Sequence, residues 1–226
     1  MKCEFKYAPS NLDEVIYPSV AVELRIKGYA TGQMEGHVML HGSNGTGKTT
    51  LAQLLVQAIG GSQAMVETLG FDELLAKKDL RSYLLQSAAM ARFTDSGKYF
   101  LLLNEFDNAK KGVYKLWTAL DACADGVVAI ITTNEPMEVH RSLRSRCDVI
   151  EIAGIPAVAA LPRVQYALQA EGLKLPDQQV LSYLKPQEKW LDFRRYFKAA
   201  DELLYLHRSG LPFPAWSGAQ PSLKVV

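Results

Sequence analysis

The chain alternates between short apolar runs and longer segments whose apolar residues recur every three or four positions. One uninterrupted apolar run covers Tyr99–Leu103, and similar short runs cover Val38–Leu40, Val127–Thr132 and Val149–Ile152. Continuous apolar runs of this length are typical of strands that are covered on both faces. A weaker candidate strand covers Ala64–Glu67. The pattern therefore predicts a sheet of buried strands.

The segments between these runs have the 3.6-residue periodicity of amphipathic helices. Strands that alternate with helices form parallel sheets with helices on both faces, because each crossover connection places its helix against the sheet. We therefore predict an α/β fold with a parallel sheet. The helices predicted within it are Ser19–Gly28, Thr50–Ile59, Asp79–Phe93 and Lys110–Ala124.

The pattern changes near Ile155, beyond which only helical periodicity remains. We predict an α/β core over residues 1–154, a small all-helical unit over 155–209 and an irregular tail over 210–226. Apolar side chains beside prolines in this tail favour a short docking peptide. The helices predicted in the second unit cover about 157–171, 176–184 and 192–208.

Charge and cysteine content limit the classes of function. The 25 Lys and Arg residues nearly balance the 24 Asp and Glu residues, so any contact with nucleic acid must come from a local basic patch. The three cysteines have no metal-ligand spacing, and their odd number is typical of reduced thiols. The first ten residues are charged and lack the apolar region of a signal peptide, and no apolar run is long enough to span a bilayer. We expect a cytoplasmic protein without a membrane partner.

Residues 42–49 read GSNGTGKT and fit the phosphate-binding pattern G-x-x-x-x-G-K-[ST] between a predicted strand and a predicted helix. Glycines let the backbone approach a polyphosphate closely, and the N–H groups at the helix N-terminus point at the anion. Lys48 is expected to reach the β- and γ-phosphates, and the Thr49 hydroxyl to bind Mg²⁺. The predicted nucleotide contacts are Gly42, Ser43, Asn44, Gly45, Thr46, Gly47, Lys48, Thr49 and Thr50.

Acidic residues follow the apolar run Tyr99–Leu103, where a second ATPase motif is expected. Glu105 is placed to polarise a water molecule for attack on the γ-phosphate. In many NTPases an Asp precedes this position and holds Mg²⁺, whereas this chain has Asn104. An amide accepts a hydrogen bond from metal-bound water but brings no negative charge, so we expect weaker Mg²⁺ binding unless Asp107 contributes. The alternative is that Glu105 and Asp107 are solvated carboxylates at a strand end.

Polar and basic residues follow the next two predicted strand segments. Asn134 ends the run after Val127–Thr132 and could bind the γ-phosphate or the attacking water, although such a sequence also caps helices. Arg141, Arg144 and Arg146 then precede the last strand. They are either a solvated charged surface or include an arginine finger that reaches a neighbouring subunit's phosphate.

In this order and spacing, these segments resemble the AAA+ superfamily of ATPases. The triplet Ser145–Cys147 resembles its clamp-loader branch, the replication factor C type, and residues 6–15, KYAPSNLDEV, resemble the box that opens clamp-loader ATPase subunits. Residues 16–18 and 105–107 are most similar to phage clamp loaders of the T4 type. The resemblance covers roughly residues 5–205 and implies a parallel P-loop sheet sandwiched by helices, followed by a helical lid.

The resemblance also implies roles for single residues. It makes ATP the nucleotide, Glu105 the catalytic base, Asn134 the sensor of the γ-phosphate and Arg146 the finger that acts on a neighbour's site. Arg194, in a segment similar to the sensor-2 pattern, would contact the γ-phosphate from the lid, the alternative being a solvated helix surface. The residues that would line the adenine pocket are Tyr7, Pro9, Val15 and Ile16.

Two departures from the clamp-loader pattern leave the function open. Asn104 puts the rate of hydrolysis in doubt, and the collar domain that clamp-loader subunits carry after the lid does not fit into residues 210–226. The first hypothesis is a DNA-dependent motor of DNA replication that assembles with copies of itself or with homologous AAA+ subunits in a ring or spiral. The second is a helicase loader or an ATPase that marks a DNA target. The third is an ATP-switched scaffold that hydrolyses weakly.

The partners follow from these hypotheses: a sliding clamp, a helicase or a collar-bearing subunit, in a bacterial host's cytoplasm if the gene belongs to a phage or mobile element. DNA contact is expected from basic residues near the starts of two helices, because clamp loaders track the phosphate backbone with such regions. This contact would be independent of sequence and sensitive to salt. Lysines that only increase solubility are the alternative. The residues concerned are Lys77, Lys78, Arg81, Lys110, Lys111 and Lys115.

Overall fold

A computed structural model describes residues 2–106, 112–123 and 125–213 of the 226-residue chain. Five parallel strands form one sheet in the order β2-β3-β4-β1-β5, which confirms the predicted α/β class. Three of the continuous apolar runs form the central strands, whereas the run Val149–Ile152 lies in the edge strand, which is only partly buried. The strands are β1 (His37–His41), β2 (Met65–Leu69), β3 (Tyr99–Leu103), β4 (Val127–Thr133) and β5 (Cys147–Glu151).

Helices occupy most of the remaining described chain. Two short 3₁₀ turns, Leu12–Glu14 and Lys185–Trp190, add to them. In chain order the helices are α1 (Cys3–Lys6), α2 (Val20–Ala30), α3 (Lys48–Gly60), α4 (Phe71–Leu75), α5 (Leu80–Ala91), α6 (Val113–Ala122), α7 (Arg141–Arg144), α8 (Ala157–Ala170), α9 (Asp177–Leu184) and α10 (Phe193–Arg208). None of the helices in the described residues combines the length and the apolar character that crossing a bilayer requires.

Both faces of the sheet are covered, as the continuous apolar strands predict. Successive side chains of β3 point to opposite faces, because the side-chain period of a strand is two residues. Phe100 and Leu102 pack with α2 and α3, whereas Leu101 and Leu103 pack with α5 and α6. All four side chains are buried. The sheet is therefore the rigid support on which the loops at the strand ends are placed.

The chain divides into two compact units, and the division differs from the predicted one at the N-terminus. Pro9–Ala153 forms the α/β unit, whereas the residues up to Ala8 belong with those from Gly154 onward in the helical unit. The reason is a set of contacts far apart in sequence: α1 packs on α10, and the Cys3 N–H donates to Asp201 Oδ1 at 3.1 Å. The sequence pattern instead predicts these first residues to be part of the α/β core.

Glu171, at the end of α8, joins the N-terminal segment to the helical unit. Its carboxylate accepts hydrogen bonds from Lys6 Nζ, from the Tyr7 hydroxyl at 2.7 Å and from Arg208 Nη2 at 2.6 Å. The hydrogen bond from Lys6, followed by that from Tyr7, lowers the pKa of Glu171 from 4.5 to about 2. A carboxylate with such partners stabilises the fold while it is ionised.

We expect Glu171→Gln to lower the melting temperature of the protein at pH 7 by a few degrees. Because the folded-state pKa is depressed, the stabilisation is present above about pH 4.5 and is lost as the pH falls toward 2. Thermal unfolding followed by circular dichroism at stepped pH should show a weaker pH dependence in this window for the variant. Exposed Glu202→Gln is the matched control, and an unchanged pH profile in Glu171→Gln would contradict the assignment.

Candidate nucleotide-binding site

The predicted phosphate loop connects the end of β1 to the start of α3. Gly47, immediately before α3, has φ +88°, and Gly42 has φ +148°. A Cβ on Gly42 would lie 2.3 Å from the carbonyl oxygen of Ile152, so no larger residue fits there. In the described chain no side chain caps the N-terminus of α3, and its first turn has no acidic residue. The N–H groups of this turn are therefore suited to an anion.

Lys48 is the first residue of α3, directly after the loop, and is 9% exposed. Its Nζ donates to the carbonyl oxygens of Gly42 and Ser43, both at 2.8 Å, and to Asn134 Oδ1 at 2.9 Å. These acceptors are neutral oxygens that a phosphate oxygen can replace, because an ammonium group binds an anionic oxygen more strongly than a neutral one. The structure thus brings together Lys48 and Asn134, which the sequence singled out separately.

The strand order explains this contact. β4 lies between β1 and β3, and Leu40 of β1 is in register with Thr132 of β4. Parallel strands end at the same edge of a sheet, where ligands of α/β proteins bind. The loop after β1, Asn134 after β4 and Glu105 after β3 therefore share one edge.

Glu105 lies at this edge in a strained backbone conformation, with φ +51° in the left-handed region. Its N–H donates to Thr132 Oγ1 at 3.1 Å, and the next N–H, of Phe106, donates to the Thr132 carbonyl at 2.8 Å. The Glu105 side chain remains exposed. A non-glycine residue keeps such a conformation when its surroundings hold it, as often occurs at functional sites.

Thr132 holds Glu105 and Asn104 in place, a role that the sequence analysis does not predict. It is 1% exposed, and its hydroxyl accepts from Glu105 N and donates to Asn104 Oδ1 at 3.4 Å. The available signal was a hydroxyl at the end of a buried strand, but the neighbour of that strand could not be known. Thr132 therefore orients both residues that follow β3.

The groups available for Mg²⁺ fit an ion held mainly by a nucleotide. Thr49 is exposed in the first turn of α3, and Asn104 is half-buried behind Glu105. No cluster of three His, Cys, Asp or Glu side chains among residues 2–106, 112–123 and 125–213 forms a metal site. Mg²⁺ commonly keeps waters and binds phosphates with only one or two protein ligands, so this donor set suits it. Asp107 lies outside the described residues.

We expect Asn104→Asp to lower the Mg²⁺ concentration needed for half-maximal ATP turnover by roughly tenfold, because it adds a negative charge near the ion. A magnesium titration of ATP hydrolysis measures this midpoint. Asn104→Ala is the matched control, since it removes the amide without adding charge. Equal midpoints in wild type and Asn104→Asp would show that residue 104 does not face the metal.

His41 ends β1 directly before the phosphate loop. Burial is the main cause that lowers the pKa of His41. The Glu151 carboxylate raises this pKa, and the Lys48 cation lowers it. Burial also lowers the pKa of His37, whose Nδ1 accepts the Ala129 N–H at 3.1 Å. Both side chains are thus neutral at pH 7, and Lys48 provides the positive charge beside β1.

Two predicted arginines are held by carboxylates, each in its own unit. In the α/β unit, Arg146 Nε and Nη2 donate to the two carboxylate oxygens of Asp121 at 2.6 and 2.7 Å. In the helical unit, Arg194 at the start of α10 donates through Nε to Asp192 Oδ1 at 3.1 Å. A carboxylate of the same unit therefore orients each guanidinium group.

The family follows from most of this α/β unit. Residues 38–154, more than half of the chain, match the model of the ATPase family associated with various cellular activities (AAA). The chain belongs to the AAA family. The match begins in β1 and includes the phosphate loop, Glu105, Asn134 and Arg146.

The chain is similar to subunits of two DNA-replication assemblies, by name a sliding-clamp loader and replication factor C. The sliding-clamp-loader large subunit of Enterobacteria phage T4 is 29% identical over 203 residues, which cover 85% of this chain and 61% of that protein. Replication factor C small subunit 2 of Pyrobaculum arsenaticum is 26% identical over 178 residues, which cover 76% of this chain and 54% of that protein. This AAA chain therefore spans between half and two thirds of the length of these relatives.

Solved structures support the AAA fold. RuvB of Thermotoga maritima, in a point variant, superposes with a TM-score of 0.68 at 17% identity, covering 93% of this chain and 70% of the RuvB chain. At this level of identity the likeness concerns the fold.

The residues predicted for the adenine pocket of the AAA chain belong to both units. In the helical unit, Tyr7 is buried, its hydroxyl bonds Glu171, and its ring meets that of Tyr166 edge-on at 5.9 Å. In the α/β unit, Val15 packs against the core cluster that includes α2 and α3. Pro9 and Ile16 are half-buried. A role in binding adenine stays a prediction for all four.

The basic residues predicted to contact DNA differ in their surroundings. Lys77 is engaged within the fold, with its Nζ 3.2 Å from Glu67 Oε1 and 4.1 Å from the centre of the Tyr83 ring. These contacts give Lys77 a structural role, and its contact with DNA stays a prediction. The other described basic residues of the set, Lys78, Arg81 and Lys115, are exposed, and Lys110 and Lys111 lie outside the described residues.

Proposed function

We propose that this AAA chain binds and hydrolyses ATP as a subunit of an oligomeric, DNA-dependent motor of the clamp-loader type. The observation that carries the proposal is the hydrogen bond between Lys48 and Asn134, which unites the loop after β1 with the end of β4. Glu105 follows the adjacent strand β3 and is held by Thr132, so it lies at the same edge of the sheet. This is the arrangement that phosphoryl transfer from a nucleotide to water requires.

Each residue has a separate task in this reaction. The backbone of the loop and Lys48 bind the β- and γ-phosphates, so that Lys48 exchanges a neutral amide for a phosphate oxygen. Glu105 polarises a water for attack, and Asn134, released from Lys48, orients that water or the γ-phosphate. Mg²⁺, held through Thr49 and through water by Asn104, would neutralise charge on the phosphates when bound.

The charge that develops on the transferred phosphoryl group needs a further cation. Arg146 supplies it to the site of an adjacent subunit, and Arg194 of the helical unit is proposed as a second cation. The partners are therefore copies of this chain or homologous AAA subunits in a ring or spiral. This function would be carried out in the cytoplasm, where DNA and ATP are found.

DNA dependence is supported by basic residues and by the relatives' names. Gly112, before α6, approaches α4 so closely that a Cβ on it would lie 2.8 Å from Leu75 Cδ1. The start of α6, with exposed Lys115, is thus close to the segment that follows α4 and contains Lys78. These cations suit a phosphate backbone. A replication role agrees with the similarity to sliding-clamp-loader and replication factor C subunits.

Steady-state ATP hydrolysis with and without primed DNA, over a range of protein concentrations, tests the proposal. Turnover should rise with DNA and should rise steeply with protein concentration, because each site needs a second subunit. Glu105→Gln should bind ATP without turnover and serves as the background control. Turnover that is independent of both DNA and concentration would overturn the oligomeric motor.

A weakly hydrolysing scaffold is the second candidate, and Asn104 favours it. The amide lacks the charge that helps to hold Mg²⁺, and its Oδ1 already accepts from Thr132. Tight ATP binding with negligible turnover at every DNA and protein concentration would establish this function instead. DNA-stimulated turnover that responds to a helicase and not to a clamp would identify a helicase loader.

A further inference from the structure

The arginine proposed to act on a neighbouring subunit is held in a two-point contact. Arg146 Nε lies 2.6 Å from Asp121 Oδ1, and Nη2 lies 2.7 Å from Asp121 Oδ2. The third nitrogen, Nη1, donates to the carbonyl oxygen of Ser142 at 2.7 Å. Parallel paired hydrogen bonds fix the plane of a guanidinium group as well as its position.

These contacts leave part of the guanidinium group available. A guanidinium group has five N–H donors, and the contacts with Asp121 and Ser142 use three of them. One remaining donor is on Nη1 and the other is on Nη2. The Arg146 side chain is 34% exposed, so a phosphate can approach the guanidinium group. Paired donors of this kind match two phosphate oxygens.

Helix α6, which carries Asp121, also contacts the start of the arginine-bearing segment. Trp117 lies one turn before Asp121 on the same side of α6 and stacks on His140, with ring centres 4.7 Å apart and planes 24° apart. His140 in turn caps α7 by accepting the Ser142 N–H at 3.1 Å. One helix therefore contacts both ends of the segment from His140 to Arg146.

We propose that Asp121 is a positioning residue that orients Arg146 for the phosphate of the adjacent subunit. The inference rests on the proposed role of Arg146 as a finger. Asp121 acts through the arginine and does not touch the nucleotide of its own subunit. Fixing a catalytic group before the reaction lowers the barrier, and a displacement of about 1 Å is enough to cost roughly a hundredfold in rate.

The test is Asp121→Asn, which keeps the size of the side chain but removes its charge and one of its two acceptors. We expect kcat for ATP to fall roughly 10- to 100-fold while Kd for ATP stays unchanged. Asp121→Glu restores the charge and should recover part of the lost kcat. Asp125→Asn, an exposed acid beyond the end of the same helix, is the matched control and should leave kcat unchanged.

A double-mutant cycle separates positioning from a general structural role. If Asp121 acts only through Arg146, Asp121→Asn should have no further effect on kcat in an Arg146→Ala background. An equal fall in both backgrounds, or a rise in kcat for Asp121→Asn alone, would overturn the proposal. Thermal unfolding of each variant checks that the α/β unit is folded at the assay temperature.

The same variants test the finger role of Arg146 and the positioning role of Asp121 separately. If Arg146→Ala loses turnover and Asp121→Asn keeps it, the finger stands and the positioning role is wrong. If Arg146→Ala itself keeps full turnover, the finger assignment in the proposed function fails, and the role of Asp121 fails with it.

Discussion

Replacing Lys48 with alanine is expected to weaken ATP binding by at least about a hundredfold. The ammonium group is the cation that the loop brings to the phosphates, and each charge-assisted hydrogen bond contributes about 1.5–3 kcal/mol. The variant also leaves the carbonyl oxygens of Gly42 and Ser43 and the amide of Asn134 without this donor. Equilibrium titration with a fluorescent ATP analogue would measure the loss.

The control must separate the loss of a particular cation from the loss of any positive charge. Lys174→Ala removes an exposed lysine of the helical unit and should not change the Kd for ATP. Thermal unfolding without nucleotide should show that Lys48→Ala is folded. ATP should raise the melting temperature of the wild type but not of this variant, because only a bound ligand stabilises the native state. Unchanged affinity in Lys48→Ala would contradict the phosphate-loop assignment.

Arg146→Ala is expected to reduce turnover by about a thousandfold while ATP affinity stays within a factor of two. Arginine fingers contribute about 10³ to 10⁵ to the rate, since they act on the charge of the transition state. The pair with Asp121 is on the surface, so its loss should have little effect on the stability of the fold. Single-turnover hydrolysis, with binding measured separately, resolves the two effects.

Mixing two inactive variants tests whether the arginine acts between subunits. Arg146→Ala protein keeps Glu105, and Glu105→Gln protein keeps Arg146. In a mixed assembly, a site with an intact Glu105 can receive the finger of its neighbour, and turnover should reappear. No recovery on mixing, although the two proteins co-assemble, would show that Arg146 acts within its own subunit.

The sequence was sufficient to predict the parts of the fold that depend on local pattern. Tyr99–Leu103 is apolar at every position, and the structure buries both of its faces. The phosphate loop is a contiguous motif, so its place between a strand and a helix followed directly. The bounds of the longer helices were predicted within a few residues. The short helices α1, α4 and α7 were missed because four or five residues are too few to show a period.

Contacts between residues far apart in sequence could not be predicted in the same way. Thr132 holds Glu105, and Asp121 holds Arg146, only because of how the strands and helices are arranged in the α/β unit. Neither pair has a spacing that marks it. The assignment of residues 1–154 to one unit differed from the structure for the same reason: α1 packs on α10, nearly two hundred residues later.

The strand order also determines when the nucleotide site can form during synthesis. Among the described residues, β1 carries the phosphate loop and its neighbours in the sheet are β4 and β5, both of which follow β3 in the chain. A nascent chain that ends after β3 contains every residue of the loop and no neighbouring strand to hold it. Pairing of such distant segments is slow, because a long loop must close first. ATP would therefore stabilise the newly made domain only after β4 and β5 have left the ribosome.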